Sequence, residues 1–249
     1  MIKKEIRNNI LLITLNRPEK RNALHPDLVS ELKTSLTNSE KDDGINSIII
    51  TGEGSSFCAG ADLEYLKKLG DYSSLENEKD SASLAELFLQ IYTFPKPTIA
   101  AVNGPAIAGG CGLASVCDLI VAHPEKSNFG YSEVKIGFIP AIVSIFLLKR
   151  IGEGHTKQLL LTGEIIAGKR AYDIGLANYL TENVLEESIN IAESINRNSI
   201  SSVTATKKLI QSVSDMDIST AIDFCINLNV ISRTTEDFKI GLQKFLTKE

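Results

Sequence analysis

The stretch that most constrains this chain runs from Thr98 to Asp118. Thr98 to Val102 are apolar or β-branched and predict a buried strand. Asn103, Gly104 and Pro105 break it, and Gly109 and Gly110 then open a small-residue helix that reaches Val116. A strand that turns through glycines into a helix start leaves backbone N–H groups unpaired at the positive end of the helix dipole. Such a turn suits an anion, or a carbonyl oxygen that becomes one during reaction. Glycine also lets a ligand press directly against the backbone. Phosphate loops and crowded packing turns use the same residues, so this stretch alone leaves the choice open.

A second stretch narrows it. Ser55-Ser56-Phe57-Cys58-Ala59-Gly60-Ala61-Asp62-Leu63 follows a predicted strand, Ser47 to Thr51, and precedes a helical pattern. Two strand-to-helix turns of small residues can each aim one N–H at a single oxygen. With these features in family order and spacing, the sequence resembles the crotonase (enoyl-CoA hydratase/isomerase) superfamily. The matching pieces are Leu15-Asn16-Arg17-Pro18, Asn22-Ala23-Leu24, Phe57 to Asp62, Ala101-Val102-Asn103-Gly104, Gly109-Gly110-Cys111 and Cys117-Asp118. The resemblance covers essentially the whole chain, and the segment from Ser132 to Ser144, with glycine at position 112, is similar to bacterial methylglutaconyl-CoA hydratase-like members.

Composition excludes several classes. The 249 residues are 43% hydrophobic and 23% charged, enough for one large core or two modest ones. No apolar run approaches the roughly 18 residues of a membrane span. Met1-Ile2-Lys3-Lys4-Glu5 lacks the apolar segment of a secretory signal, so a cytoplasmic protein is expected. Cys58, Cys111, Cys117 and Cys225 show no metal-ligand spacing and are expected as buried, reduced thiols; no metal is expected. A net charge of −5 argues against broad nucleic-acid binding, though local basic groups can still hold a phosphate.

Along the chain, Lys4 to Arg7 and Ile10 to Leu15 flank Asn8-Asn9 as a β-hairpin. Pro26 starts a helix carrying Leu28, Leu32 and Leu36, and Asp42-Asp43-Gly44 ends it. Asp62 reads as the N-cap of the next helix. Gly70 to Asp80 is polar and mixed in charge and reads as a mobile surface loop, followed by a helix over Ser83 to Tyr92. Leu119 to Ala122 is a buried strand, Asn128 to Val134 continues the sheet edge, and Ala141 to Ile151 is helical. The recurring units predict an α/β fold, a crotonase-like spiral of β-β-α units, rather than a doubly wound dinucleotide fold. The expected division is a spiral core with the acyl-CoA site over 1–185 and a C-terminal helical oligomerisation region over 186–249. Its apolar faces need a partner surface, and the resemblance implies a homotrimer or a dimer of trimers.

The resemblance also implies roles. The backbone N–H groups of Ala61 and Gly109 become the two oxyanion donors, with Ala59, Gly60, Asp62, Leu63 and Gly110 beside them. Lys20, Arg21 and Ala23 line the coenzyme A groove, and Phe245 and Lys248 reach the nucleotide from an adjacent subunit. Coenzyme A enters with the thioester, and no separate cofactor is expected. The best-known hydratases carry a glutamate directly after the Gly-Gly-x run and a second near the next sheet edge. Here the first position is Gly112 and the second is Glu133, the expected acid/base. Glu64, Tyr65 and Tyr131 are candidates to place a water, and a Gly112→Glu change is expected to restore a two-carboxylate site. One glutamate keeps two chemistries open: hydration of a 2-enoyl-CoA, possible on a branched acyl group such as 3-methylglutaconyl, or isomerisation of a 3-enoyl to a 2-enoyl thioester. A third reading is a non-catalytic acyl-CoA or RNA-binding member of the fold.

Overall fold

Asn8 and Asn9 both take left-handed φ values, 50° and 60°, which is the twist a two-residue hairpin turn needs. They join strand β1 (Ile2–Arg7) to β2 (Ile10–Leu15) in antiparallel register, with Arg7 opposite Ile10. The sheet then grows by parallel additions: β3 (Ser47–Gly52) on β2, β4 (Thr98–Val102) on β3, β6 (Leu119–Ala122) on β4, and β9 (Tyr179–Leu180) on β6. A smaller sheet is made of β5 (Ala106–Ile107), β7 (Asn128–Gly130) and β8 (Ile165–Ala167), with β7 between the other two. The computed structural model describes residues 1–247, except for the side chain of Leu63.

Strand alternation splits the core in two. Leu11, Ile13 and Leu15 of β2 face the larger cluster, with Ile48, Ile50, Ala100 and Val102. Helix α1 (Pro26–Glu40) contributes Leu28, Leu32 and Leu36 to it, and helix α3 (Ser74–Tyr92) contributes Leu87, Phe88 and Ile91. The opposite face carries Ile10, Leu12, Ile49, Ile99, Ala101 and Val121, covered by Val184, Ile191 and Ala192 of helix α7 (Val184–Asn196). Parallel strands buried on both sides explain the continuous apolar runs in the sequence.

Three expectations change. Gly70 to Asp80 is not a loop throughout: after the short helix α2 (Leu63–Leu69), α3 begins at Ser74. Ser73 and Glu76 form a reciprocal capping box there, a local signal that overrides the polar composition. The sheet edge stops at Gly130, and Glu133–Ile136 winds into a 3-10 turn. Beyond helix α4 (Gly109–Ser115), α5 runs over Ala141–Thr162, past Ile151, because the path resumes after a break at Gly152 (φ 72°).

The C-terminal region also divides later than residue 186. After α6 (Gly168–Asp173), α7 belongs to the core, whereas α8 (Ile200–Val213), α9 (Ile218–Ser232) and α10 (Glu236–Thr247) bury no residue. Polar contacts seat α8: Lys207 Nζ lies 2.7 Å from Asp118 Oδ2, and Gln211 donates to the Tyr92 carbonyl. Apolar side chains on the later helices stand in the open, Ile218 at 80% exposure and Phe245 at 82%. None of the described helices is long and apolar enough to cross a membrane.

Candidate active site

The first turn is aimed by a single-residue bridge. Leu24 donates its N–H to the Gly60 carbonyl at 2.6 Å, and the Asp62 N–H donates back to the Leu24 carbonyl at 3.0 Å. In a parallel bridge the residue between those two contacts points its own N–H the other way. That residue is Ala61, and its N–H makes no hydrogen bond among the described residues. Gly60 sits at φ 90°, and a Cβ there would lie 2.8 Å from the Ile107 carbonyl oxygen. Only glycine fits both conditions.

That close approach brings the second turn alongside. Cys58 bridges Ala106, and a Cβ on Gly110 would lie 2.1 Å from the Cys58 carbonyl oxygen. Ala108 donates to the Gly130 carbonyl at 2.7 Å and holds φ 51°, ψ −123°. An L-residue avoids that region, at a typical cost of about 1–3 kcal/mol. The peptide it twists is the one that carries the Gly109 N–H, first in α4 and so without an intrahelical partner. Leu24 spans both turns, since its Cδ1 would be 3.1 Å from a Cβ on Gly109. Two unpaired N–H groups therefore head two adjacent turns. Nothing in the sequence marks Ala108 as strained, because the glycines that read as permissive are its neighbours.

Glu133 comes to these turns through β7. Ile107 pairs with Gly130, which places the segment after Gly130 beside Ala108 and Gly109. Glu133 is 9% exposed, and its Oε2 is buried without a hydrogen-bond partner. Burial raises its pKa above the usual carboxylate value.

Asp62 has the opposite environment. Its Oδ1 caps α2, accepting from the Glu64 N–H at 3.0 Å and the Tyr65 N–H at 3.4 Å, and its Oδ2 meets Arg17 Nη2 at 2.8 Å. These donors, Arg17 foremost, hold its carboxyl below the usual range. Arg17 Nη1 also reaches the Ala23 carbonyl at 2.7 Å. Arg17 was not singled out for a role by sequence, because its partner lies 45 positions away.

The other expected residues divide. Ala59 donates to the Arg21 carbonyl at 3.0 Å, so the Lys20–Ala23 loop lies against the first turn. Arg21 is exposed, and Lys20 pairs with Glu64 at 2.9 Å on the surface. That pairing raises the Lys20 pKa. Glu64 and Tyr65 are also engaged elsewhere, Tyr65 through Asp80 at 2.5 Å. Tyr131 is fully buried with its hydroxyl 2.8 Å from Ser115 Oγ, which corrects its assignment to a substrate-facing water site.

Gly112 needs a second correction. A Cβ there would lie 2.4 Å from Val143 Cγ1 and 2.9 Å from Phe88 Cε2. A Cβ there meets side chains of α3 and α5, so a second carboxylate at Gly112 requires Val143 and Phe88 to shift first. Phe88 and Val143 are wall residues that sequence reading misses. Phe245 lies on α10 in the open. Lys248 lies outside the described residues, as does the side chain of Leu63. Burial pushes the thiols of Cys58, Cys111 and Cys117 up to about 12, which makes them inert at neutral pH.

Comparison with known proteins agrees with this architecture. Residues 5–249 match the enoyl-CoA hydratase/isomerase family. A Thermus thermophilus protein provisionally named an enoyl-CoA hydratase is 40% identical over 244 residues, 97% of this chain and 96% of that one. The crotonyl-CoA hydratase of Syntrophomonas wolfei is 34% identical over 248 residues, covering 98% of this chain and 94% of the relative. Among solved structures, an enoyl-CoA hydratase from Polaromonas superposes with a TM-score of 0.95 at 30% identity, over 100% of this chain and 97% of the other. The fold is that of an enzyme of the crotonase type. The chain belongs to the enoyl-CoA hydratase/isomerase family.

Proposed function

We propose that this enzyme hydrates a 2-enoyl-CoA reversibly, with Glu133 as its acid/base. The observation that carries the reading is the buried, unpartnered Oε2 of Glu133 on the segment beside two free N–H groups. The thioester carbonyl oxygen sits between the N–H groups of Ala61 and Gly109, which stabilise the charge it gains. Glu133 takes a proton from water as the hydroxyl adds to C3, and the electron pair moves to the carbonyl oxygen as an enolate. Protonated Glu133 then delivers that proton to C2. Water is added across the double bond with one carboxylate serving both steps, and its raised pKa suits both.

Relatives named for crotonyl-CoA and 2,3-dehydroadipyl-CoA hydration support this direction. A branched substrate such as 3-methylglutaconyl-CoA is the finer form of the proposal. The filled wall at Gly112 favours one alternative, isomerisation of a 3-enoyl thioester, which needs a single base to move one proton. Turnover of crotonyl-CoA, 3-hexenoyl-CoA and 3-methylglutaconyl-CoA separates the readings by product. Glu133→Gln should lower the rate by about 10²–10⁴-fold while thioester binding persists. A Gln variant that keeps most of its rate assigns the proton transfer elsewhere. The open apolar faces of α8 to α10 support self-association as a trimer or a dimer of trimers, to be read by light scattering. In that assembly Phe245 of one subunit reaches the nucleotide bound by its neighbour.

A further inference from the structure

A backbone donor cannot be tuned through its own side chain, so the aim of the Ala61 N–H depends on what holds its neighbours. Arg17 holds both sides. Its Nη1 fixes the Ala23 carbonyl at 2.7 Å, one residue before Leu24, and its Nη2 fixes Asp62 at 2.8 Å, one residue after Ala61. The guanidinium therefore ties together the two segments of the Leu24–Ala61 bridge, one contact before Leu24 and the other after Ala61.

Arg17 is itself pinned. Its N–H donates to Asn22 Oδ1 at 2.9 Å, and Asn22, fully buried, donates onward to the carbonyls of Glu53 at 2.9 Å and Ser56 at 2.8 Å. The Arg17 and Asp62 side chains are 12% and 6% exposed. An ion pair at that depth is weak evidence of stabilisation, because apolar replacements of similar size often serve as well. Its geometry accounts for it better: one planar fork reaches two elements that must keep a fixed register.

We propose that the Arg17–Asp62 pair positions the Ala61 oxyanion donor, so that both residues govern carbonyl polarisation without touching the substrate. This rests on the hydration reading above. The test uses the full-length protein, crotonyl-CoA turnover, and 4-(dimethylamino)cinnamoyl-CoA as a probe whose absorption moves to the red when its carbonyl is polarised. The double variant Arg17→Met with Asp62→Asn removes both charges and leaves neither unpaired. It should lose roughly 10- to 100-fold in kcat with KM changed by less than about threefold, and the red shift of the bound probe should shrink. Arg17→Lys, which reaches Asp62 without the fork, should fall between. If the double variant does not fold, Asp62→Asn keeps a cap acceptor and carries the test by the same two readouts. Full kcat with an unchanged red shift overturns the proposal, and so does a loss of kcat with the red shift intact. A parent enzyme that turns over none of the three thioesters overturns the hydration reading instead, and the probe shift still reports on the clamp.

Discussion

Asp62 and Glu133 are both buried carboxylates beside the same pair of turns, and their surroundings are opposite. Asp62 accepts from two backbone N–H groups and a guanidinium, and its carboxyl is held below its ordinary range. Glu133 leaves one buried oxygen without a hydrogen-bond partner, and its carboxyl is pushed above that range. In the sequence Asp62 follows small residues at a helix start and Glu133 lies on an expected sheet edge, and neither position says how its charge is satisfied. What separates them is whether the protein satisfies the charge. A satisfied carboxylate holds structure in place, whereas an unsatisfied one has lone pairs and a proton to exchange.

The comparison predicts opposite stability effects, and the largest belongs to Asp62. Asp62→Ala removes a helix cap and leaves Arg17 buried without its counter-charge. Its folding stability should fall by about 3 kcal/mol, read by urea unfolding at neutral pH. A loss below about 1 kcal/mol would put Asp62 among surface carboxylates and dissolve the contrast.

Next comes the wall that keeps Glu133 alone. Gly112→Glu should cost about 1–3 kcal/mol, because the new Cβ meets Val143 and Phe88 at van der Waals overlap. Adding Val143→Ala should recover part of that loss, which thermal unfolding of the two variants measures. Equal stability of parent and single variant would mean α5 moves away freely, and the one-carboxylate site would then be a matter of sequence rather than of space.

Removing Glu133's charge should stabilise. Because its native pKa is raised above its unfolded one, the folded chain binds more protons between the two values. Stability from this group is complete below the unfolded pKa and declines as pH rises through the native one. Glu133→Gln should therefore be more stable than the parent at neutral pH, by roughly 0.5–2 kcal/mol. The advantage should vanish in acid, below the unfolded carboxylate range. A constant difference across pH would mean Glu133 does not titrate between the folded and unfolded chains as its burial implies.

Much of this was legible because it is local. Asn8-Asn9 names its own hairpin, Pro26 its own helix start, and the glycines at 60 and 110 announce close backbone contact. Ser73 and Glu76 carry a capping signal as local as these, three residues apart. The remainder lies in pairs that no window of sequence holds together. Arg17 meets Asp62 from 45 positions away, and Gly112 meets Phe88 and Val143 from separate helices. The φ of Ala108 follows from the Gly130 contact that traps it, not from alanine's own preference.

The smallest expected effect tests whether depth or charge count makes the difference. Lys20–Glu64 is a second ion pair between the same two segments that Arg17–Asp62 joins, but its side chains are 41% and 77% exposed. Water already solvates both groups, so losing one leaves no unpaired buried charge, and salt screens what attraction remains. Lys20→Ala should leave the unfolding midpoint unchanged within error. If Lys20 also meets a phosphate of the thioester, binding should weaken by about two- to threefold at low salt and converge with the parent as salt rises. Titration calorimetry with crotonyl-CoA at two ionic strengths on a Glu133→Gln background, which binds the thioester while turning it over about 10²–10⁴-fold more slowly, measures this. A loss of stability comparable to that of Asp62→Ala would show that the loop is held by charge wherever it lies, and burial would no longer explain why Asp62 is fixed while Glu133 is free to act.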